Sequence, residues 1–200
     1  KFYETTRPFT ELAFILGARA EQVVDFLHTQ NKKDNFNFSL QYRFSNSPGA
    51  LKNQNANLNN LRFTSHFKSN NRKYELFFVF LSNKNASSEN GGLQSPSKLD
   101  SLSLNDPYEL ETRLGKSAAA SRNPFNTNVS TGNIYTSSQF VIRQQFDLGK
   151  KDSSVVDSVT YRIFYPRLRL QHTLSVASSA YQFLDTYVDS SKYQLYFNKP

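Results

Sequence analysis

From Asp34 to Asn46 the chain reads DNFNFSLQYRFSN, with Phe36, Phe38, Leu40, Tyr42 and Phe44 at every second position and Asn37, Ser39, Gln41, Arg43 and Ser45 between them. Successive side chains of a pleated strand point to opposite faces, so this spacing predicts a strand with one aromatic and one polar face. The alternation recurs along the chain. TELAFIL places Leu12, Phe14 and Leu16 opposite Glu11, and LRFTSHF places Leu61, Phe63 and Phe67 opposite Arg62, Thr64 and His66. In KYELFFVFLS the aromatic row is Tyr74, Leu76, Phe78 and Phe80, although Phe77, Val79 and Leu81 make the other side apolar too. SQFVIRQQFDL sets Phe140, Ile142, Phe146 and Leu148 against Arg143, Gln145 and Asp147. RLRLQHTLSV sets Leu168, Leu170, Leu174 and Val176 against Arg167, Arg169, Gln171 and Thr173, with His172 a polar intruder in the apolar row that implies a nearby interface or a bulge. The facing of EQVVDFLHTQ is ambiguous. The terminal YQLYFNKP alternates through Tyr193, Leu195 and Phe197, so the count is seven strands, or eight with this tract. No segment keeps a 3.6-residue apolar period, and few helices are expected.

The connections sort by length. NKKDN and KSNNR are tight and polar, whereas the tract after Phe44 is long and the one from 83 to 132 is very long. LGARAE, after Leu16, is a short exception, and GKKDSSVVDS, after Leu148, reads as a moderate turn. In a meandering antiparallel sheet this alternation gathers tight turns at one end and long loops at the other, as outer-membrane barrels do with periplasmic turns and extracellular loops. A Greek-key sandwich has no reason to sort loops this way. Strands of roughly 8 to 12 residues also suit the ~9–11 of a tilted transmembrane strand.

The expected fold is therefore all-β: an antiparallel up-and-down transmembrane β-barrel, with residues 1–200 forming seven or eight strands of one larger barrel domain and 83–132 its long extracellular loop. On this reading Phe36, Phe38, Leu40, Tyr42, Phe44, Leu61, Phe63, Phe67, Tyr74, Leu76, Phe78, Phe80, Phe140, Ile142 and Phe146 face lipid. Asn37, Ser39, Gln41, Arg43, Arg62, Thr64, His66, Arg143, Gln145, Arg167, Arg169, Gln171 and Thr173 line the lumen. An arginine facing lipid at the midplane would cost about 2–4 kcal/mol, which sets the polarity of the two faces.

Composition sharpens this picture. Hydrophobic residues are 38% of the chain, yet it holds 18 Phe and 11 Tyr, so apolar surface is concentrated in aromatics. The longest apolar run, FFVFL, is far short of the ~20 residues of a membrane-spanning helix. Cysteine is absent, which removes disulfides, thiolate metal sites and cysteine nucleophiles together. A start at KFYETT, without Met or a charged-then-apolar leader, suggests a processed form or an internal fragment. The net charge of +8 invites an anionic partner, but Lys32-Lys33, Arg72-Lys73 and Lys150-Lys151 all fall at expected turns, and no nucleic-acid-binding motif accompanies them.

Little points to catalysis. His28, His66 and His172 are scattered, no nucleophile or phosphate-loop pattern occurs, and the carboxylates of DPYELE (Asp106 to Glu111) sit in the longest loop. No enzyme activity, cofactor or metal is expected. Five lumen arginines against one acid, Asp147, would favour anionic solutes, unless loop carboxylates fold inward and pair with them.

The segments PFTELAFILG, FLHTQN, NLNNLRFTSHF, KYELFFVFLSNKNASSENGG and RQQFDLGK resemble the putative porin family of Bacteroidetes outer membranes, over roughly Tyr3 to Lys150. The resemblance implies a barrel in the outer membrane of a Gram-negative bacterium, surrounded by lipid and lipopolysaccharide, with passive diffusion of small solutes as its function, and the lumen arginines add the expectation that anionic ones are favoured. One alternative is a non-conducting barrel that scaffolds a larger secretion or nutrient-uptake complex with other outer-membrane proteins. A second is a soluble β-sandwich binding module.

Overall fold

Alternation is realised as strands throughout. A computed structural model describes residues 1–115, 128–156 and 159–198. Its strands are β1 (Phe9–Leu16), β2 (Gln22–Lys32), β3 (Phe36–Ser47), β4 (Ala56–Lys68), β5 (Tyr74–Ser88), β6 (Thr131–Val156) and β7 (Val159–Asp185), followed by one helix, α1 (Ser190–Phe197). The strands form a single sheet in chain order, each antiparallel to the next, and β1 and β7 each have one unpaired edge.

Turn chemistry fixes the hairpins. The β2–β3 turn puts Lys33 at φ +60° and the β4–β5 turn puts Arg72 at φ +56°. In the latter, the Ser69 amide donates to the Tyr74 carbonyl at 2.8 Å and the Ser69 hydroxyl to Asn71 at 2.7 Å. The short β1–β2 connection closes with the Gly17 amide on the Glu21 carbonyl.

Several expectations need correction. The loop expected at 83–132 is shorter, because β5 continues to Ser88 and pairs Asn83 with Ser137 and Ser88 with Gly132. This polar stretch lacks the apolar alternation that announces a strand, yet ladder hydrogen bonds need only backbone. Lys150-Lys151 and most of GKKDSSVVDS belong to β6 rather than to a turn, and the turn itself lies outside the described residues. Beyond the Tyr74–Phe146 pair, β6 and β7 continue together as a two-stranded ribbon, interrupted by a register shift at Leu148/Gly149 that leaves Arg167 as the extra residue. Pro166, which has no amide hydrogen to give, sits at that irregularity on the edge strand.

The terminal YQLYFNKP is not an eighth strand. Asp189 caps the amides of Ser191 and Lys192, and Asn198 ends the helix in the left-handed region at φ +54°. Tyr193 and Phe197 satisfy an i, i+4 helical pair as well as a two-residue alternation, and the cap decides between them.

Burial is inverted relative to a soluble sheet. Among the described residues the buried apolar side chains are Leu93, Tyr108 and Leu110, all in the β5–β6 connection. Buried positions on the sheet are polar: Thr29, Asn37, Ser39 and Thr64. No second layer covers the aromatic face among the described residues, as a sandwich would require.

Candidate functional site

Register sorts the side chains into two continuous faces. On the polar face Asn37 lies opposite His66, Ser39 opposite Thr64 and Gln41 opposite Arg62. The face continues through Phe77 opposite Arg143, then Arg143 opposite Thr173 and Gln145 opposite Gln171. Every residue expected to line a lumen falls on this face, with Arg167 alone displaced to the bulge. The residues expected to face lipid share the opposite face, and rings meet there across strands: Phe78 stands edge-on to Phe63 at 5.8 Å and to Phe140 at 5.1 Å. The ambiguous β2 is settled as well, since Val24 and Phe26 lie on the aromatic side while Asp25, Leu27 and Thr29 lie on the polar side. His172 is neither in the bulge nor at the end of the apolar row; it pairs with Gln144, and these two, with His28 and Ser65, are among the polar positions inside the aromatic face.

The polar face is heavily cross-linked. Ser39 and Thr64 hydroxyls meet at 2.6 Å, and the Asn37 amide donates to Thr29 at 3.2 Å and to Asn31. Arg43 donates from Nε to Asp25 at 2.9 Å and again from Nη2, while Gln41 donates to the other Asp25 oxygen at 3.1 Å. Arg169 makes a two-pronged pair with Asp147 at 2.7 and 2.9 Å. Lys68 meets Glu75 at 3.0 Å.

These pairs correct the expected charge balance. The strand acids on the face are Glu11, Asp25, Glu75, Asp147 and Asp185, not Asp147 alone. Asp25 was hidden by the ambiguous facing of β2. Among the described residues the loop carboxylates have other partners: Glu111 accepts from Lys52 at 2.7 Å and Asp106 accepts from the Tyr108 amide at 2.9 Å.

Two features had no counterpart in the sequence pattern. Residues 1–8 cross the polar face, with Phe2 edge-on to Phe77 at 5.1 Å, Thr64 donating to the Lys1 carbonyl at 3.3 Å and the Thr5 amide donating to Asn31 at 3.2 Å. His66 stacks flat on Phe77 at 4.4 Å and the Arg143 guanidinium lies over the same ring at 5.6 Å, so Phe77, the first apolar residue of the polar row, is enclosed. At the long-loop end, Tyr135 and Tyr181 pair directly across β6 and β7 and remain 41% and 69% exposed, with Phe183 beside them at 50%. They were missed because both strands run further than their apolar alternation; the spacing of Tyr181 and Phe183 was the available signal.

Above this end the loops fold on one another. The Lys52 ammonium is buried against Glu111, Asn53 donates to Thr112 at 2.9 Å and to the Leu114 carbonyl at 3.2 Å, and Arg113 lies over the ring of Tyr196 in α1. Asp185 accepts from the Tyr193 hydroxyl at 2.6 Å, and that bond pushes the Tyr193 pKa up to about 12.

Beside this amphipathic meander stands the family comparison: the model of the family described as Putative porin matches residues 1–200. The chain belongs to that family. The match extends past Lys150, where the sequence resemblance faded, and so takes in the β6–β7 ribbon and α1. No curated protein and no solved structure matches the chain.

Proposed function

We propose that these seven strands form part of the wall of an outer-membrane β-barrel through which small hydrophilic solutes pass passively. The observation that carries this reading is the path of the apolar belt across the aromatic face. From Phe14, at the belt centre on β1, the register row runs through Val24, Phe44, Asn59, Lys84, Thr136 and Ala180. The belt does not follow that row. Its centre moves to Leu40 on β3, near Phe77 on β5 and to His172 on β7, a drift of about eight residues over the six strand steps. At ~3.3 Å per residue and ~4.8 Å between strands, ~1.3 residues per strand corresponds to a tilt of about 42°. Transmembrane strands tilt by about 35–45°. On the aromatic face Lys84, Ser138 and Ser178 fall outside the tilted belt, whereas the His172–Gln144 pair lies within it.

An open sheet edge is not tolerated in hydrocarbon, so the ring closes through strands additional to these seven. On this reading the tight turns are periplasmic and the folded loops extracellular. Pairing of Asp25 with Arg43 and of Asp147 with Arg169 weakens the anion preference that the arginines alone would give. Conductance of the full-length protein in planar bilayers tests the proposal. Stepwise ion currents are expected; a chain that is soluble without detergent would refute it. The enclosure of Phe77 under Phe2 favours a second reading, a blocked barrel that scaffolds other outer-membrane proteins. Electrical silence together with defined co-purifying partners would select that one.

A further inference from the structure

We propose that the long-loop end of the polar face is a binding site for an uncharged saccharide, an inference that rests on this face being the water-filled side of the barrel. A groove of about 400 Å³ there is lined by Ser45, Ser47, Leu58, Asn85, Asn133 and Tyr135 among others, and no residue lining it carries a charge at neutral pH. The volume is that of a small-ligand pocket. Tyr135 joins the groove to Tyr181, its direct cross-strand neighbour, and Phe183 lies opposite Asn133, so exposed rings continue along the face from the amides.

Exposed rings on the watered side of a sheet are costly to hydrate and have no lipid to meet. A sugar ring suits them: its C–H face packs on an aromatic face, and its hydroxyls both donate and accept, as the hydroxyls and amides of Ser45, Ser47 and Asn85 do. The Tyr135 hydroxyl has no partner among the described residues and is available to such a ligand. An ionic solute finds no counter-charge in the groove. Nearby, Glu89 is engaged by Asn133 at 2.8 Å, Asp185 by Thr131 at 2.9 Å, and Lys84 lies on the opposite face. Tyr135 is about nine residues from the belt centre at Gln144, or ~22 Å along the membrane normal at the tilt above, outside the ~25 Å apolar band and in the outer mouth.

The test uses the full-length protein, with maltohexaose and xylohexaose as neutral probes and adenosine as a flat aromatic competitor. Block of the ion current is read in bilayers, and heat of binding is read by calorimetry in detergent. Saturable binding of at least one hexaose is expected, weakened about tenfold by Tyr135→Ala combined with Tyr181→Ala. Tyr135→Phe restores the stacking surface and brings affinity back within about twofold. Asn85→Asp, which keeps every ring, also weakens binding, whereas Tyr42→Phe on the opposite face leaves it unchanged. Heat-modifiable gel migration verifies that each variant is assembled. A channel that conducts but binds neither hexaose overturns the saccharide site and leaves the porin reading standing. Saccharide heat from an electrically silent barrel supports the site and removes permeation. Tighter binding of adenosine than of either hexaose, or alanine variants that bind like the original, also overturns the proposal.

Discussion

Arginine placed at three positions on the aromatic face tests both the lipid contact and the tilt. Val24 on β2 and Thr136 on β6 occupy one register row, through Phe44, Asn59 and Lys84, so a membrane aligned with the rows would treat them alike. A belt tilted by about 42° does not. Val24 lies about one residue from the belt centre on its strand, ~2 Å from the midplane, and Ile142 about two residues from the centre on β6, ~5 Å away. Thr136 is about eight residues from that centre, ~20 Å along the normal and beyond the ~12 Å half-height of the apolar band. Val24→Arg and Ile142→Arg should each cost about 2–4 kcal/mol, and Thr136→Arg about 0–1 kcal/mol. The native Lys84 in the same row is what the tilted belt expects of a row that leaves the membrane before reaching β5. Reversible denaturant unfolding of the full-length protein from lipid vesicles measures all three. Equal costs at Val24 and Thr136 would refute the tilt, and three harmless arginines would remove lipid from this face.

Glu111→Gln leaves the buried Lys52 ammonium without its carboxylate, so the two loops should loosen by about 1–3 kcal/mol and limited proteolysis between 89 and 115 should accelerate; unchanged protection would refute the coupling. Gly132, at φ +152°, would bring a Cβ to 2.2 Å from the Ser87 carbonyl, so Gly132→Ala should pull the start of β6 off β5. Amide exchange at Glu89, which donates to the Thr131 carbonyl at 3.0 Å, would rise, and an unmoved rate would contradict that packing. Tyr193 holds its proton more tightly folded than unfolded: its pKa is raised to about 12 from the ordinary 10.0 by the bond to Asp185. Its contribution is therefore complete below pH 10 and lost as pH rises towards 12. Tyrosinate absorbance of the original compared with Tyr193→Phe should isolate one late titration, and its absence would remove the bond.

The two faces were legible because period-2 alternation is a direct record of which side each residue meets. Phe36 to Phe44 and their neighbours Asn37 to Arg43 fall where that rule places them. Strand ends were not legible, because Asn83 to Ser88 pair through a backbone ladder that needs no apolar alternation, and their polar side chains mimic a loop. The terminal helix was misread because Tyr193 and Phe197 fit two periods, and only the Asp189 cap distinguishes them. Asp25 escaped the charge balance because Val23, Val24, Phe26 and Leu27 flank it on both faces, leaving no polar side to assign it to. The segment over Phe77 leaves no mark in any period, since it acts through single contacts of Phe2, Thr5 and the Lys1 carbonyl.

The pairing on the polar face bears directly on how such a wall could pass solutes. A lumen lined by unpaired arginines would present a strong field and hold anions tightly, which slows their exit. Here Arg43 and Arg169 each meet a carboxylate through Nε and Nη2, and Arg143 lies over the ring of Phe77. Transverse charge pairs of this kind order water across the face while adding little net potential along it. If solutes pass along this face as proposed, selection is expected to rest more on size and hydrogen bonding than on sign of charge. That property matches the uncharged groove at the mouth, and removing the carboxylates, as in Asp25→Asn with Asp147→Asn, should shift permeability towards chloride over potassium. Reversal potentials under a salt gradient measure that shift; an unchanged ratio would mean that the paired arginines lie away from the ion path.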